Sequence, residues 1–167
     1  YKTGGYASQP KTRAAFAAMV TVLDDAVGDI VAKLEELGIT TEWIPIQDFD
    51  IHDPVFRDIC SNYTQERFRN GQMSDERLEY VLNHDLASYI WLCKTSDGTP
   101  LGYVLLSVHD NMVHYWYAFM NLDYIQDRPV GKWMMWNVLK EAQENAYDYA
   151  YLGTVYGVNA LYKVRDH

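Results

Sequence analysis

Between Ala87 and Phe119 the apolar and aromatic residues fall into three short blocks, Ala87 to Cys93, Gly102 to Val108 and Met112 to Phe119. Their β-branched and aromatic content predicts three strands. The intervening segments, Thr95 to Pro100 and His109 to Asn111, are turn-rich and short, which favours an antiparallel meander. The period then changes. From Pro129 to Ala142 the apolar residues Val130, Trp133, Met134, Val138 and Leu139 recur at helical spacing, and Pro129 suits a first turn. This predicts one amphipathic helix lying on the sheet. Tyr147 to Gly153 returns as a strand, with Gly153 permitting a bend or a close backbone approach.

Upstream the pattern is helical. Phe16, Met19, Val20, Leu23, Val27, Ile30, Val31 and Leu34 mark one face of a helix over 12–37, or of two helices joined near Gly28, and Gly38 suits its end. Thr41 to Ile46 reads as a strand that opens the sheet, held to an edge or bulge by Pro45. Asp53-Pro54 suits a helix start running through Phe56, Ile59, Cys60, Tyr63 and Phe68, and Ser74 caps a further short helix to about Asn83.

A chain of 167 residues, 49% hydrophobic, supports one substantial core. The expectation is a single mixed α/β domain over 1–167, with a helical part at 11–83 and a sheet part at 86–167. The start at Tyr1 and the stop where another strand is expected read as a piece of a longer chain. A net charge of -9 and a pI near 4.9 argue against a protein that grips duplex DNA as its main task, without excluding a local basic groove. Cys60 and Cys93 lie far apart, the five histidines lack paired spacing, and no long apolar run occurs. The expectations are therefore no metal, no membrane contact and a reducing, cytoplasmic setting.

The order of elements, closed by Asn159-Ala-Leu-Tyr-Lys163, resembles the GNAT acyltransferases, and implies a mostly antiparallel central sheet flanked by helices. More specifically, the stretch looks like the C-terminal half of the arginyl- and leucyl-tRNA-protein transferases. Tyr117-Ala-Phe-Met-Asn-Leu-Asp123 is similar to their Tyr, aromatic, acidic-or-Asn, Asp signature, followed by Val130-Gly-Lys-Trp133, Tyr151-Leu-Gly153 and Tyr162-Lys163. Leu122 stands where that family usually has Pro and Thr154 where it has an aromatic residue, and its cysteine-bearing N-terminal portion has no counterpart here. A CoA-dependent relative would carry a glycine-rich loop before the helix. Here the loop is Gln126 to Lys132, in which Arg128 and Gly131 suit a phosphate, Pro129 removes one donor and Trp133 replaces the second glycine.

The resemblance implies transfer of an aminoacyl group from aminoacyl-tRNA to a protein or peptide N-terminus, with no tightly bound cofactor. An acetyl-CoA-dependent N-acetyltransferase is the alternative donor reading, and a catalytically silent peptide-binding module is a third. Attack by an amine needs a proton acceptor, donors for the oxyanion and an acid for the leaving group. By resemblance Tyr162 is the acid, since a phenol with a pKa near ~10 is protonated at neutral pH, and unpaired N–H groups between two splayed strands meet the carbonyl. Asp123 positions or deprotonates the amine. Tyr117, Asn121, Arg128, Gly131, Lys132, Gly153, Tyr156, Asn159 and Lys163 complete the substrate- and donor-binding set. A cleft filled by Trp133 or Tyr156 would instead favour the silent module.

Overall fold

In the computed structural model the described residues are 38–68, 73–84, 86–125 and 130–153. Thr40–Pro45 (β1), Tyr89–Lys94 (β2), Pro100–His109 (β3), Met112–Met120 (β4) and Tyr149–Tyr151 (β5) form one sheet in chain order. β1 to β4 pair antiparallel, as the short β2–β3 and β3–β4 connections favour, and β5 joins β4 in parallel. Pro45 closes the edge strand opposite Tyr89, where a missing N–H interrupts no ladder, and pairing passes to Ile46 N–H donating to Ser88 O at 3.0 Å.

Helices cover both faces. Pro54–Arg67 (α1) starts where expected: Asp53 accepts a hydrogen bond from Phe56 N–H at 2.8 Å and Pro54 occupies the first turn. Asp75–Asn83 (α2) is capped by Ser74, which accepts from Arg77 N–H at 3.2 Å. Phe56, Ile59, Cys60, Leu78, Val81 and Leu82 from these helices pack on Ile90, Tyr103, Leu105 and Phe119 of the sheet. The opposite face carries a four-residue helix's neighbour, Val130–Glu144 (α4), which follows Leu122–Ile125 (α3). Its buried residues Val130, Trp133, Met134, Met135, Val138 and Ala142 meet Trp91, Cys93, Val104, Leu106, Val113 and Tyr115. Each fully buried side chain of this size contributes about 1.5–3 kcal/mol, so the two apolar layers hold the sheet rigid beneath the site.

One expectation changes, and one helix is added. The strand expected from Tyr147 to Gly153 shortens to Tyr149–Tyr151, because Tyr147 N–H still donates to Ala142 O at the end of α4 and its ring stacks on Trp43 at 6.5 Å. α3 had no apolar period to announce it. The helix expected over 12–37 lies outside the described residues.

Candidate active site at the end of the fourth strand

β3 and β4 pair regularly from Gly102↔Met120 to Leu105↔Tyr117, and again from Leu106↔Tyr115 to His109↔Met112. The register shift leaves Trp116 as one extra residue, a β-bulge in β4. It breaks the alternation of faces. Val113 and Tyr115 lie on the α4 side, whereas Trp116, Tyr117 and Phe119 lie together on the α1 side.

The parallel ladder to β5 is short: Met112↔Tyr149, Val113↔Ala150 and His114↔Tyr151. Two more residues in this register would set Gly153 opposite Trp116. Gly153 instead has φ +79°, the left-handed region that glycine enters without a Cβ clash. Strand and bulge therefore part at the same level. Beyond it, residues 115–120 of β4 have no strand partner on the β5 side among the described residues.

The first turn of α4 sits at the far end of β4. A Cβ on Gly131 would lie 3.1 Å from Met120 Sδ, so the absence of a side chain at 131 serves the approach of helix to strand. Further down, a Cβ on Gly102 would come 2.8 Å from both Phe119 O and Met134 Cε. Exposed Lys132 belongs to the same first turn as Gly131.

β4 is followed by Asn121, whose N–H donates to Leu101 O at 2.9 Å and whose amide donates to Pro100 O at 3.2 Å. Its side-chain oxygen accepts from Asp123 N–H at 3.2 Å, starting α3. Asn121, Leu122 and Asp123 then form one wall of a cleft of about 510 Å³ whose other wall is α1, through Val55, Asp58, Ile59, Asn62, Gln65 and Glu66. That volume suits a small ligand or the end of a peptide. Asp58, Glu66 and Asp123 are exposed carboxylates, and among the described residues no Lys, Arg or His lines the cleft. Arg57, next to Asp58 on α1, is engaged elsewhere: its Nε donates to Ile51 O at 2.7 Å and its guanidinium pairs with Glu79 at 3.2 Å.

Asn121, Asp123, Gly131 and Lys132 thus come to one end of β4, the first two on the α1 side and the last two at the start of α4. Tyr117 is half-buried on the α1 side, stacked on Phe119 at 6.3 Å, and Gly153 marks the parting of β5. Arg128, Tyr156, Asn159, Tyr162 and Lys163 lie outside the described residues. Trp133 does not fill this cleft. It is packed on the opposite face against Trp91, with ring centroids 6.0 Å apart, and its indole N–H is buried without a hydrogen-bond partner. The α1 wall is the part sequence reasoning missed, since Asp58, Asn62, Gln65 and Glu66 read as an ordinary solvated helix face. Among the described residues no group of His, Cys, Asp and Glu could hold a metal ion, and no helix is long and apolar enough to cross a membrane.

The fold is shared with solved structures of low identity. The chain matches a ribosomal-protein-alanine N-acetyltransferase from Brucella melitensis at a TM-score of 0.52 and 14% identity, covering 77% of this chain and 88% of that one. A GNAT family acetyltransferase from Brucella melitensis, solved with acetyl-CoA, gives 0.50 and 11%, with 70% and 78% covered. L-PGS from Bacillus licheniformis gives 0.62 and 12%, with 80% of this chain but 42% of that chain covered. No curated protein matches the sequence. The model of the family described as an acetyltransferase (GNAT) domain matches residues 75–163, from α2 to the Tyr-Lys ending and over half of the chain. With the splayed β4–β5 pair inside that span, the chain belongs to the GNAT acetyltransferase domain family.

Proposed function

We propose that the protein transfers an aminoacyl group from aminoacyl-tRNA to the N-terminal amine of a protein or peptide, where β5 leaves β4. The observation that carries acyl transfer is the run of β4 from the bulge at Trp116 and the end of the ladder at His114–Tyr151, without a β5 partner among the described residues, to the cleft at Asn121 and Asp123. Backbone N–H groups of β4 beyond the ladder are suited to bind the acyl oxygen as it becomes an oxyanion. The amine enters from the α1 side, where the Asp123 carboxylate orients it and takes up its proton directly or through water. A C–N bond forms, the ester C–O bond to the tRNA ribose breaks, and Tyr162 protonates the departing oxygen before regaining a proton from solvent. The replacement of the second loop glycine by Trp133, and Pro129 beside it, favours a donor other than CoA.

Acetyl-CoA is the second donor reading, favoured by the position of the α4 first turn, with Gly131 and Lys132, at the same end of β4 as the cleft. In that case the bond broken is the thioester C–S bond and the thiol takes the proton. One assay separates the two. The protein is incubated with a peptide and either tRNA charged with labelled arginine or leucine, or labelled acetyl-CoA, and the peptide is weighed by mass spectrometry. Gain of an aminoacyl residue supports the first reading, gain of an acetyl group the second, and an unchanged peptide with both donors overturns acyl transfer.

A further inference from the structure

We infer that the cleft selects an acceptor whose reacting amine is followed by a second positive charge, and that Asp58 and Glu66 are the residues that determine this specificity. The inference rests on the reading above that the acceptor enters between α1 and α3. The cavity and the splayed strand define the site, and its charges choose among amines.

Asp58 and Glu66 stand eight residues apart on one helix, a rise of about 12 Å. Between them Asn62 donates to Asp58 Oδ2 at 3.0 Å, fixing that carboxylate, and Gln65 and Glu66 continue the same wall. Across the cleft Asp123 stands at the end of β4. An extended peptide advances about 3.3 Å per residue, so roughly four residues span the α1 row. With its N-terminal amine at Asp123, a peptide brings the side chains of its second to fourth residues alongside that row. Three carboxylates without a lining cation among the described residues leave a neutral or acidic peptide to meet uncompensated negative charge. Lysine or arginine at those positions relieves it. Asp58 also borders a neighbouring opening in which Glu79 is paired with Arg57 and Asp75 adds one further carboxylate.

The test uses two pentapeptide amides with the same N-terminal residue, one carrying lysine and one norleucine at the second and third positions. Binding is followed by calorimetry at low and moderate salt, and transfer from the donor active in the assay above is followed separately. The lysine peptide is expected to bind about tenfold more tightly at low salt, with the advantage shrinking as salt rises. The D58N/E66Q variant is expected to lose most of that ratio, while E42Q/E144Q, which removes the same charge elsewhere, keeps it. Equal binding of the two peptides, or an undiminished ratio in D58N/E66Q, overturns the inference. A linear triamine tested in parallel distinguishes a free polyamine from a basic peptide as the source of the charge: preference for the triamine over the lysine peptide overturns the peptide assignment. Transfer without charge preference refutes this inference alone, and charge-selective binding without transfer refutes only the reading of function.

Discussion

Trp91 and Glu141 are joined by a hydrogen bond from the fully buried indole N–H to Oε2 at 2.8 Å, tying the last turns of α4 to the second strand. Trp43, directly opposite Trp91 in the β1–β2 ladder, donates its indole N–H to the same oxygen, and Thr41 Oγ donates to Oε1 at 2.8 Å. One carboxylate therefore fastens helix, edge strand and inner strand together. Glu141→Gln keeps an amide oxygen for the two indoles and offers its NH₂ to the Thr41 hydroxyl, so the expected loss is within about 1 kcal/mol. Glu141→Leu leaves both indoles unpaired and is expected to cost about 2–4 kcal/mol. Urea unfolding of the two variants measures the difference, and equal losses would refute the role assigned to the oxygen.

Gly102 and Gly131 are expected to respond oppositely to alanine. At 102 the new Cβ meets a backbone carbonyl, Phe119 O, as well as Met134, so the strands must shift, at a cost of about 1–3 kcal/mol. At 131 it meets only the flexible end of Met120, and the gain in helix propensity, up to about 1 kcal/mol, offsets the contact. Urea midpoints test both. If G131A retains stability but loses binding of the donor, the missing side chain serves the donor and not the packing.

Asp123→Asn is expected to leave unfolding within about 0.5 kcal/mol of wild type, since the side chain is exposed. Transfer to peptide is expected to fall about 10²-fold, the lower range for loss of a general base. Comparing kcat with KM across pH separates a proton acceptor from a group that only holds the ammonium. An unchanged rate would remove Asp123 from the reaction.

Burial pushes the Cys93 thiol up to about 12, and raises that of Cys60 further. An unfolded thiol titrates near ~8.5, so between about pH 9 and 12 the unfolded chain loses these protons and the native chain keeps them. Both thiols therefore contribute full stability below about pH 8.5, and that contribution is lost as pH rises, by about 1.4 kcal/mol per pH unit for each. Urea unfolding between pH 8 and 9.5, below the range in which the Tyr103 phenol, also raised by burial, contributes, tests the slope, which Cys93→Ala is expected to halve. At neutral pH neither buried thiol should react with a thiol-specific dye until the protein is unfolded.

What the sequence made legible follows from how local each signal is. The caps at Asp53 and Ser74 act over three residues, and the helical period of α4 is carried by the side chains that end up buried. The bulge gives no such sign, because Tyr115, Trp116 and Tyr117 are all large aromatics and their polarity does not alternate. Asn121 and Asp123 were readable from a linear signature, and the structure sets both at the cleft. The opposite wall was not. Asp58, Asn62 and Glu66 are polar because they face solvent, and only the packing of α1 against the end of β4 makes that solvent a cavity. Glu141 was hidden for the same reason, a charge in a helix whose partners are nearly 50 and 100 residues away.

The extra residue at Trp116 acts on β4 as a frameshift acts on a reading frame. Ahead of it Val113 and Tyr115, at odd positions, belong to the α4 layer; behind it Ala118 and Met120, at even positions, do so. Deleting one residue there would reassign either half of the strand to the wrong layer. Likewise, an ungapped alignment of β4 with a relative whose strand is unbulged would match core to cleft from Trp116 onward, hiding homology in the segment that borders the chemistry.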